Sequence, residues 1–253
     1  MPRRTTVRLR VPDPPAPSAA GGFSAYARLL EEAATTASIE AGYAPRWYAA
    51  EGTAWVIRRS TIECEAPIAP GTAVEVATWV ADFRRVRSRR EYEMRAEPGG
   101  PPLLRAHTDW VYVERASGRP RRIPAPMMSR FVPEGAAEAL PREPLETGAR
   151  PADAASIEQV VVPADVDALD HMNNARYFDY VEQAIRAALA ATPAAHRRPV
   201  RHDQEYLEEA RNGDRLACFA WRLREGECET EVATEIRRAA DGAALARARS
   251  LCR

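Results

Sequence analysis

The sequence predicts an α+β protein made of two similar halves, each an antiparallel sheet packed on one long helix. Two amphipathic segments, residues 25–42 and 174–189, show helical periodicity. Each is followed by runs in which apolar and polar residues alternate, as in half-buried antiparallel strands. Because the same order of elements occurs twice, we interpret the chain as an internal repeat.

The strand-like segments match in pairs along the two halves. In the first half they span residues 53–64, 72–80 and 103–113, and in the second half residues 199–210, 214–223 and 245–253. A turn separates the first two segments of each set, Pro70-Gly71 in one half and Asn212-Gly213 in the other. A stretch rich in proline and alanine lies between the halves. We therefore predict an N-terminal domain at residues 1–132, a linker at 133–155 and a C-terminal domain at 156–253.

Composition narrows the possible classes of function. The 253 residues include 36 basic and 36 acidic side chains, so affinity for bulk nucleic acid or membrane is not expected. The N-terminus lacks the apolar core of a signal peptide, and no run approaches the roughly 20 apolar residues of a membrane span. The four cysteines show no metal-ligand spacing, and we expect them to be reduced in a cytoplasmic protein.

A polar cluster directly before the second helix is the most informative feature of the chain. Its members are Asp165, Asp167, His171, Asn173 and Asn174. Either asparagine is a suitable N-cap, because its short side chain can accept a hydrogen bond from an unpaired amide of the first turn. An apolar stripe follows at helical spacing and comprises Phe178, Val181, Ile185 and Leu189. The cluster thus lies at the positive end of a helix buried along one side.

This segment closely resembles the D-x-D-x-x-x-H-x-N-N-x-x-Y signature of hotdog-fold thioesterases, above all the acyl-carrier-protein thioesterases. The resemblance implies two tandem hotdog domains, each an antiparallel sheet wrapped around a long helix. It also implies that Asp167 is the general base or nucleophile and that His171 orients the substrate carbonyl or the base. The family has a functional asparagine two residues before the histidine, where this chain has Leu169.

A second family element resembles residues 205–210. The family strand reads roughly E-Y-x-x-E-C, and its second glutamate assists the attacking water. Glu205, Tyr206 and Glu209 match this pattern, whereas Ala210 replaces the cysteine. The resemblance therefore implies that Glu209 activates or positions water.

Each of these residues also has a purely structural interpretation. Asp165 and Asp167 could end a strand and cap a turn, His171 could be a satisfied structural histidine, and Glu209 could be an exposed strand end. Asn173 and Asn174 are expected to act first as caps, with nearby backbone amides facing the oxyanion. We retain Asn173 among the catalytic candidates and Asn174 among the substrate-binding ones.

The repeat tests whether the first half carries a site of its own. Aligning Tyr26 with Tyr177 places Ala16, Ala20 and Gly22 at the positions of Asp167, His171 and Asn173. The first half is therefore predicted to keep the helix and to lack the polar residues of the site. Glu31 aligns with Glu182, so both glutamates are interpreted as belonging to the helices and not to the reaction.

The family also places much of its acyl tunnel in the N-terminal half. Candidate tunnel residues there are Phe23, Trp47, Tyr48 and Trp55, although aromatic side chains are more often ordinary core.

An acidic carrier protein would be attracted by arginines near the tunnel mouth. One arginine cluster spans residues 84–90 and another lies at 119–122, and both could equally be solvated strand and hairpin.

The resemblance implies a thioesterase that hydrolyses a fatty or polyketide-like acyl thioester, with acyl carrier protein favoured over coenzyme A. One alternative is a hotdog dehydratase or hydratase, although its differently placed histidine with an acidic partner on the helix is not evident. Another is a non-catalytic module that binds acyl thioesters. No phosphate loop, zinc spacing or G-x-S-x-G elbow is present, so neither a cofactor nor a metal is implied. The protein is expected to be a monomer with an internal pseudo-dimer, or a homodimer.

Overall fold

A computed structural model describes residues 2–13, 22–134, 140–167 and 169–253. Within these ranges the chain forms one antiparallel sheet of ten strands and four α-helices. The strands are β1 Arg4–Arg10, β2 Thr53–Glu63, β3 Ala73–Arg84, β4 Arg87–Arg95, β5 Leu104–Glu114, β6 Ala155–Val160, β7 Pro199–Tyr206, β8 Arg215–Glu225, β9 Thr230–Arg238 and β10 Ala244–Cys252. The helices are α1 Phe23–Glu40, α2 Pro45–Ala50, α3 Ala125–Phe131 and α4 Asn174–Leu189.

The order of the strands repeats across the centre of the sheet. It runs β1-β3-β4-β5-β2-β7-β10-β9-β8-β6, so the two halves have the same connectivity and meet at β2 and β7. These two strands pair antiparallel, with residues 59–63 opposite residues 201–205. The sequence predicted two sheets, and the structure joins them into one. The pairing satisfies backbone groups of β2 and β7 that would otherwise lie at two free edges.

Both long helices predicted from periodicity are confirmed. The stripe on α4 is buried, since Phe178, Val181, Ile185 and Leu189 are each at most 2% exposed. On α1 the buried side chains include Tyr26 and Leu30, and these pack in the same cluster as Phe178 from α4. The two helices therefore pack against each other across the boundary between the halves as well as against the sheet.

Helices α2 and α3 belong to the N-terminal half and have no counterpart among the described residues of the C-terminal half. They enclose a third apolar cluster in which Tyr112, Met127 and Phe131 are buried. Trp47 and Trp55 pack against its outer side. This extra layer is what lets the N-terminal half surround an apolar cavity, described below.

The segment that follows α3 is fastened to the sheet by buried ion pairs. Arg142 Nη2 lies 2.7 Å from Asp82 Oδ1, and Arg142 Nε lies 3.0 Å from Asp109 Oδ1. The Leu140 amide donates to Asp82 at 2.9 Å, and Arg89 pairs with Asp109 at 2.8 Å. Residues 140–154 contain no helix or strand. The limits of the predicted linker, residues 133 and 155, stay a prediction.

Among the described helices, none combines the length and the apolar character required to cross a bilayer.

We expect Arg142→Ala to lower the free energy of unfolding by about 3 kcal/mol, because it leaves the buried Asp82 carboxylate without its counter-charge. Asp82 is fully buried, so water cannot replace the guanidinium there. Urea denaturation measures the change. Arg215→Ala is the matched control: it removes an exposed ion pair with Glu158 and should leave stability almost unchanged. Equal losses in the two variants would contradict the buried-network interpretation.

Candidate active site

The loop before α4 is anchored by Asp165. This side chain is buried and accepts hydrogen bonds from Arg176 Nε at 2.7 Å, Tyr180 Oη at 2.8 Å and the Val162 amide at 3.1 Å. Its carbonyl accepts from the Asn173 amide at 2.8 Å. Every contact serves to hold the loop, so Asp165 positions its neighbours and does not face a substrate.

Asp167 and His171 are brought together by a tight turn. The Asp167 amide donates to the His171 carbonyl at 2.8 Å, and the Leu169 amide donates to Asp167 Oδ1 at 2.8 Å. The turn needs left-handed backbone at Asp170, with φ of 63°, which aspartate tolerates better than most residues. The turn thus fixes one carboxylate oxygen of Asp167 beside the histidine backbone.

His171 and Glu209 form the direct contact between the two sequence motifs. His171 Nε2 lies 2.8 Å from Glu209 Oε2. The loop is tied to the segment after β7 because the Met172 amide donates to the Ala210 carbonyl at 2.8 Å. The side chains of His171 and Glu209 are 26% and 53% exposed, which places the pair at the mouth of a cleft. The two motifs singled out in the sequence therefore meet in space.

The predicted cap is confirmed at Asn173. Its Oδ1 accepts from the Ala175 amide at 2.8 Å, and its Nδ2 donates to Glu31 Oε2 at 3.1 Å. Asn174 is the first residue of α4, and its carbonyl accepts from Tyr206 Oη at 3.2 Å. Asn173 therefore links the helix start of the C-terminal half to a glutamate of the N-terminal half.

Glu31 is a site residue that the sequence interpretation missed. It lies on α1 and lines the same cleft as Asp167, His171 and Asn173. Burial raises the pKa of Glu31 to about 7, and the nearby Asp167 carboxylate adds to the rise, while the bond from Asn173 opposes it. The sequence did contain a signal for Glu31, its alignment with Glu182. We interpreted that alignment only as a feature of the helices. In the structure, the glutamate of each helix accepts a hydrogen bond at the start of the other helix.

The cleft adjoins an apolar cavity in the N-terminal half. The cleft encloses about 640 Å³ and the cavity about 630 Å³. Thr35, Trp55, Trp110 and Leu169 line both spaces, so they form the junction. The remaining cavity wall includes four aromatic side chains, those of Tyr43, Tyr48, Phe83 and Phe131. A long apolar group could therefore occupy the cavity while its polar end remains in the cleft.

The four tunnel candidates have different positions. Trp55 lies at the junction and Tyr48 lines the cavity. Trp47 does not line either space and instead packs against Tyr48, with ring centroids 5.2 Å apart. Phe23 is buried at the start of α1, 4.4 Å from the His202 ring, and lies outside both spaces.

The start of α1 lacks the polar groups found at the start of α4. Ala16 and Ala20, aligned with Asp167 and His171, lie outside the described residues. Gly22 takes the cap position without a side-chain bond. Instead, the Phe23 amide donates to Glu182 Oε1 at 2.8 Å.

The arginine clusters do not form the rim of the cleft. Arg89 is paired with Asp109, and Arg90 is buried and lines the apolar cavity. The arginines that line the cleft are Arg58, Arg211 and Arg238. These come from β2, the segment after β7, and β9, which are distant in sequence.

Family comparisons agree with this geometry. The family model of the acyl-ACP thioesterase N-terminal domain matches residues 23–131, and that of the C-terminal domain matches residues 150–252. The chain belongs to the acyl-ACP thioesterase family. This confirms the resemblance drawn from the segment before α4 and from the strand that ends near Glu209.

Solved structures of acyl-ACP thioesterases share the hotdog-type fold. A Lactobacillus plantarum protein described as an oleoyl thioesterase is 18% identical, with a TM-score of 0.85 over 100% of this chain and 95% of that one. The 12:0-ACP thioesterase of Umbellularia californica is 17% identical, with a TM-score of 0.80 over 99% and 94%. At these identities the likeness establishes the fold alone.

A curated relative is the chloroplastic oleoyl-acyl carrier protein thioesterase 1 of Arabidopsis thaliana. It is 25% identical over 181 residues, which are 66% of this chain and 50% of the relative. The chain thus spans about half the length of this acyl-ACP thioesterase.

The cap at Asn173 can be tested by two substitutions. Asn173→Ala removes both the cap and the bond to Glu31, whereas Asn173→Ser keeps a capping oxygen and removes only the second bond. We expect Ala to be less stable than Ser by about 1 kcal/mol in urea denaturation, the usual value of a side-chain N-cap. Coincident unfolding curves for the two variants would show that the capping bond contributes nothing.

Proposed function

We propose that this protein hydrolyses acyl thioesters carried on acyl carrier protein, giving the free acid and the carrier thiol. The observation that carries the proposal is the His171–Glu209 pair at 2.8 Å beside Asp167, in a cleft that opens on an apolar cavity. Membership of the acyl-ACP thioesterase family supports the same reaction.

In the proposed reaction a water oxygen attacks the thioester carbonyl carbon. Asp167 takes a proton from that water as general base, and Glu209, held by His171, positions the water. The new C–O bond leads to loss of the C–S bond, and the departing thiolate takes up a proton to give the thiol. The start of α4 favours the negative charge that develops on the carbonyl oxygen, because it is the positive end of the helix dipole.

Asp167 could alternatively act as the nucleophile, as the family position allows. It would then form a mixed anhydride with the acyl group while the thiolate leaves, and water would cleave the anhydride. A single turnover in ¹⁸O-labelled water tests this route, because water that attacks the Asp167 carbonyl of the anhydride leaves label in the protein, an outcome that direct attack on the thioester cannot give.

The substrate class follows from the two spaces. The apolar cavity suits the chain of a fatty or polyketide-like acyl group, and the cleft suits its thioester and the adjoining phosphopantetheine arm. Arg58, Arg211 and Arg238 supply positive charge for the phosphate of that arm and for an acidic carrier protein. Trp55 and Asn174 are the substrate-binding residues we retain, at the junction and in the cleft.

We further propose a division of labour between the halves. Residues 1–132 enclose the acyl chain, and residues 156–253 supply Asp167, His171 and Glu209. The β2–β7 pairing supports a monomer that contains its own pseudo-dimer. All four cysteines are free, which supports a reducing compartment such as the cytoplasm.

The first test is thiol release from a panel of acyl-ACP and acyl-coenzyme A thioesters. We expect Asp167→Ala to lower kcat by about 10²–10⁴-fold, the usual contribution of a positioned base. Asp153→Ala, which removes an exposed aspartate far from the motif in sequence, is the control and should keep full activity. A wild-type protein that binds acyl thioesters without releasing thiol would overturn hydrolysis and favour a binding module.

The acyl cavity can be tested by filling it. Ala34 lies on α1 and lines the cavity, so Ala34→Phe should reduce kcat/KM for long acyl chains far more than for short ones. Each methylene that no longer fits costs about 1–3 kcal/mol of discrimination. Thr36→Phe, on the same helix but outside the cavity lining, is the control. Uniform losses across chain lengths would show that acyl chains bind elsewhere.

A further inference from the structure

The two long helices exchange glutamates across the boundary between the halves. Glu31 of α1 reaches the start of α4, where its Oε2 accepts from Asn173 Nδ2 at 3.1 Å. Glu182 of α4 reaches the start of α1, where its Oε1 accepts from the Phe23 amide at 2.8 Å. The two contacts are related by the repeat of the fold, but their neighbours differ. Asp167 and His171 line the cleft with Glu31 and not with Glu182.

Glu31 holds Asn173 from the side opposite the helix cap. Asn173 Oδ1 is used by the Ala175 amide, so its Nδ2 faces the glutamate. The asparagine side chain is therefore fixed at both ends, one in each half of the molecule. Two tethers of this kind hold a side chain far more tightly than one, and tight placement is what a catalytic constellation needs.

The surroundings of Glu31 favour its neutral form, burial most strongly and the Asp167 carboxylate in addition. Asp167 faces it from the loop before α4, and the phenols of Tyr92 and Tyr206 face it from β4 and β7. Arg28, on its own helix, is the compensating cation and acts more weakly than burial. A second carboxylate, that of Asp167, lines the same cleft and makes the ionised form of Glu31 still less favourable.

We propose that Glu31 is a positioning residue of the active site in the C-terminal half and that it acts in its neutral form. Neutral Glu31 accepts, through its Oε2, the hydrogen bond that orients Asn173, and it adds no negative charge beside Asp167. Once ionised, Glu31 places a second negative charge beside the carbonyl oxygen where charge develops, which disfavours the transition state. This inference rests on the proposed thioester hydrolysis.

The sign of the pH dependence follows from the raised pKa. Glu31 is protonated at low pH and loses its proton as the pH rises through about 7. Wild-type kcat should therefore fall by about tenfold for each pH unit above that value, provided that the ionised form is inactive. The stability gained from the bound proton is greatest below about 4.5, the ordinary value, and is lost as the pH approaches 7.

The decisive experiment compares kcat–pH profiles of the wild type, Glu31→Gln and Glu182→Gln. Glu182 is the matched control, because burial raises its pKa to about 7 as well. Both substitutions should flatten the dependence of the thermal midpoint on pH between 5 and 8. Only Glu31→Gln should abolish the fall in kcat above pH 7. Glu31→Ala should lower kcat by about 10²-fold with little change in KM, because Asn173 loses its second tether.

The possible results separate the two proposals. An alkaline fall in kcat that persists in Glu31→Gln, or that disappears equally in Glu182→Gln, would overturn the role of Glu31 and leave thioester hydrolysis intact. A wild-type protein without turnover would overturn hydrolysis and, with it, any catalytic role for Glu31. In that case the thermal midpoints would still report whether Glu31 is neutral at pH 6, and an unchanged pH dependence in Glu31→Gln would overturn that part too.

Discussion

The antiparallel pairing of β2 with β7 is the interaction on which the arrangement of the site depends. It aligns residues 59–63 with residues 201–205 at the centre of the sheet, and Arg59 clamps Asp203 across the seam through two bonds of 2.6 Å. Trp55 lies near the start of β2, and Glu209 follows the end of β7. Antiparallel pairing brings those ends to the same end of the sheet, so the apolar junction and Glu209 adjoin. A shift of one residue in this register would turn every side chain of the shifted strand to the other face.

The same pairing explains why the half whose sequence lacks counterparts of Asp167 and His171 still contributes to the site. Joining the sheets sets α1 beside α4, and each helix then extends a glutamate to the start of its neighbour. Where Asn173 caps the helix, the glutamate meets an amide side chain; where Gly22 stands, it meets the backbone amide of Phe23 directly. The contact between a glutamate and the start of the neighbouring helix is thus present twice. Asp167 and His171 lie beside only one of the two, the contact made by Glu31.

Local features of the sequence were sufficient to predict the helices and strands, but not the contacts between segments distant in sequence. Periodicity located both long helices, and residue chemistry identified the cap at Asn173, because these depend on neighbours within a few positions. The β2–β7 junction could not be located from the sequence, since an edge strand carries no local mark of the distant partner that covers it. The surroundings of Glu31 and Phe23 could not be read from the sequence for the same reason: Glu31 lines the cleft and Phe23 is buried in the core only once α1 lies against α4. Long-range packing decides such positions.

Leu169 shows how the apolar and polar spaces are combined in this chain. Its side chain lines both the cavity and the cleft, while its backbone amide holds Asp167 Oδ1 at 2.8 Å. The backbone contact fixes the carboxylate whatever the side chain is, so a leucine can stand where the resemblance implies an asparagine. The apolar side chain extends the cavity wall toward Asp167 and offers no partner to water on that side. Within the proposed reaction, the polar partners of water come instead from the half-exposed His171–Glu209 contact in the same cleft. An apolar residue at position 169 thus gives greater weight to that contact.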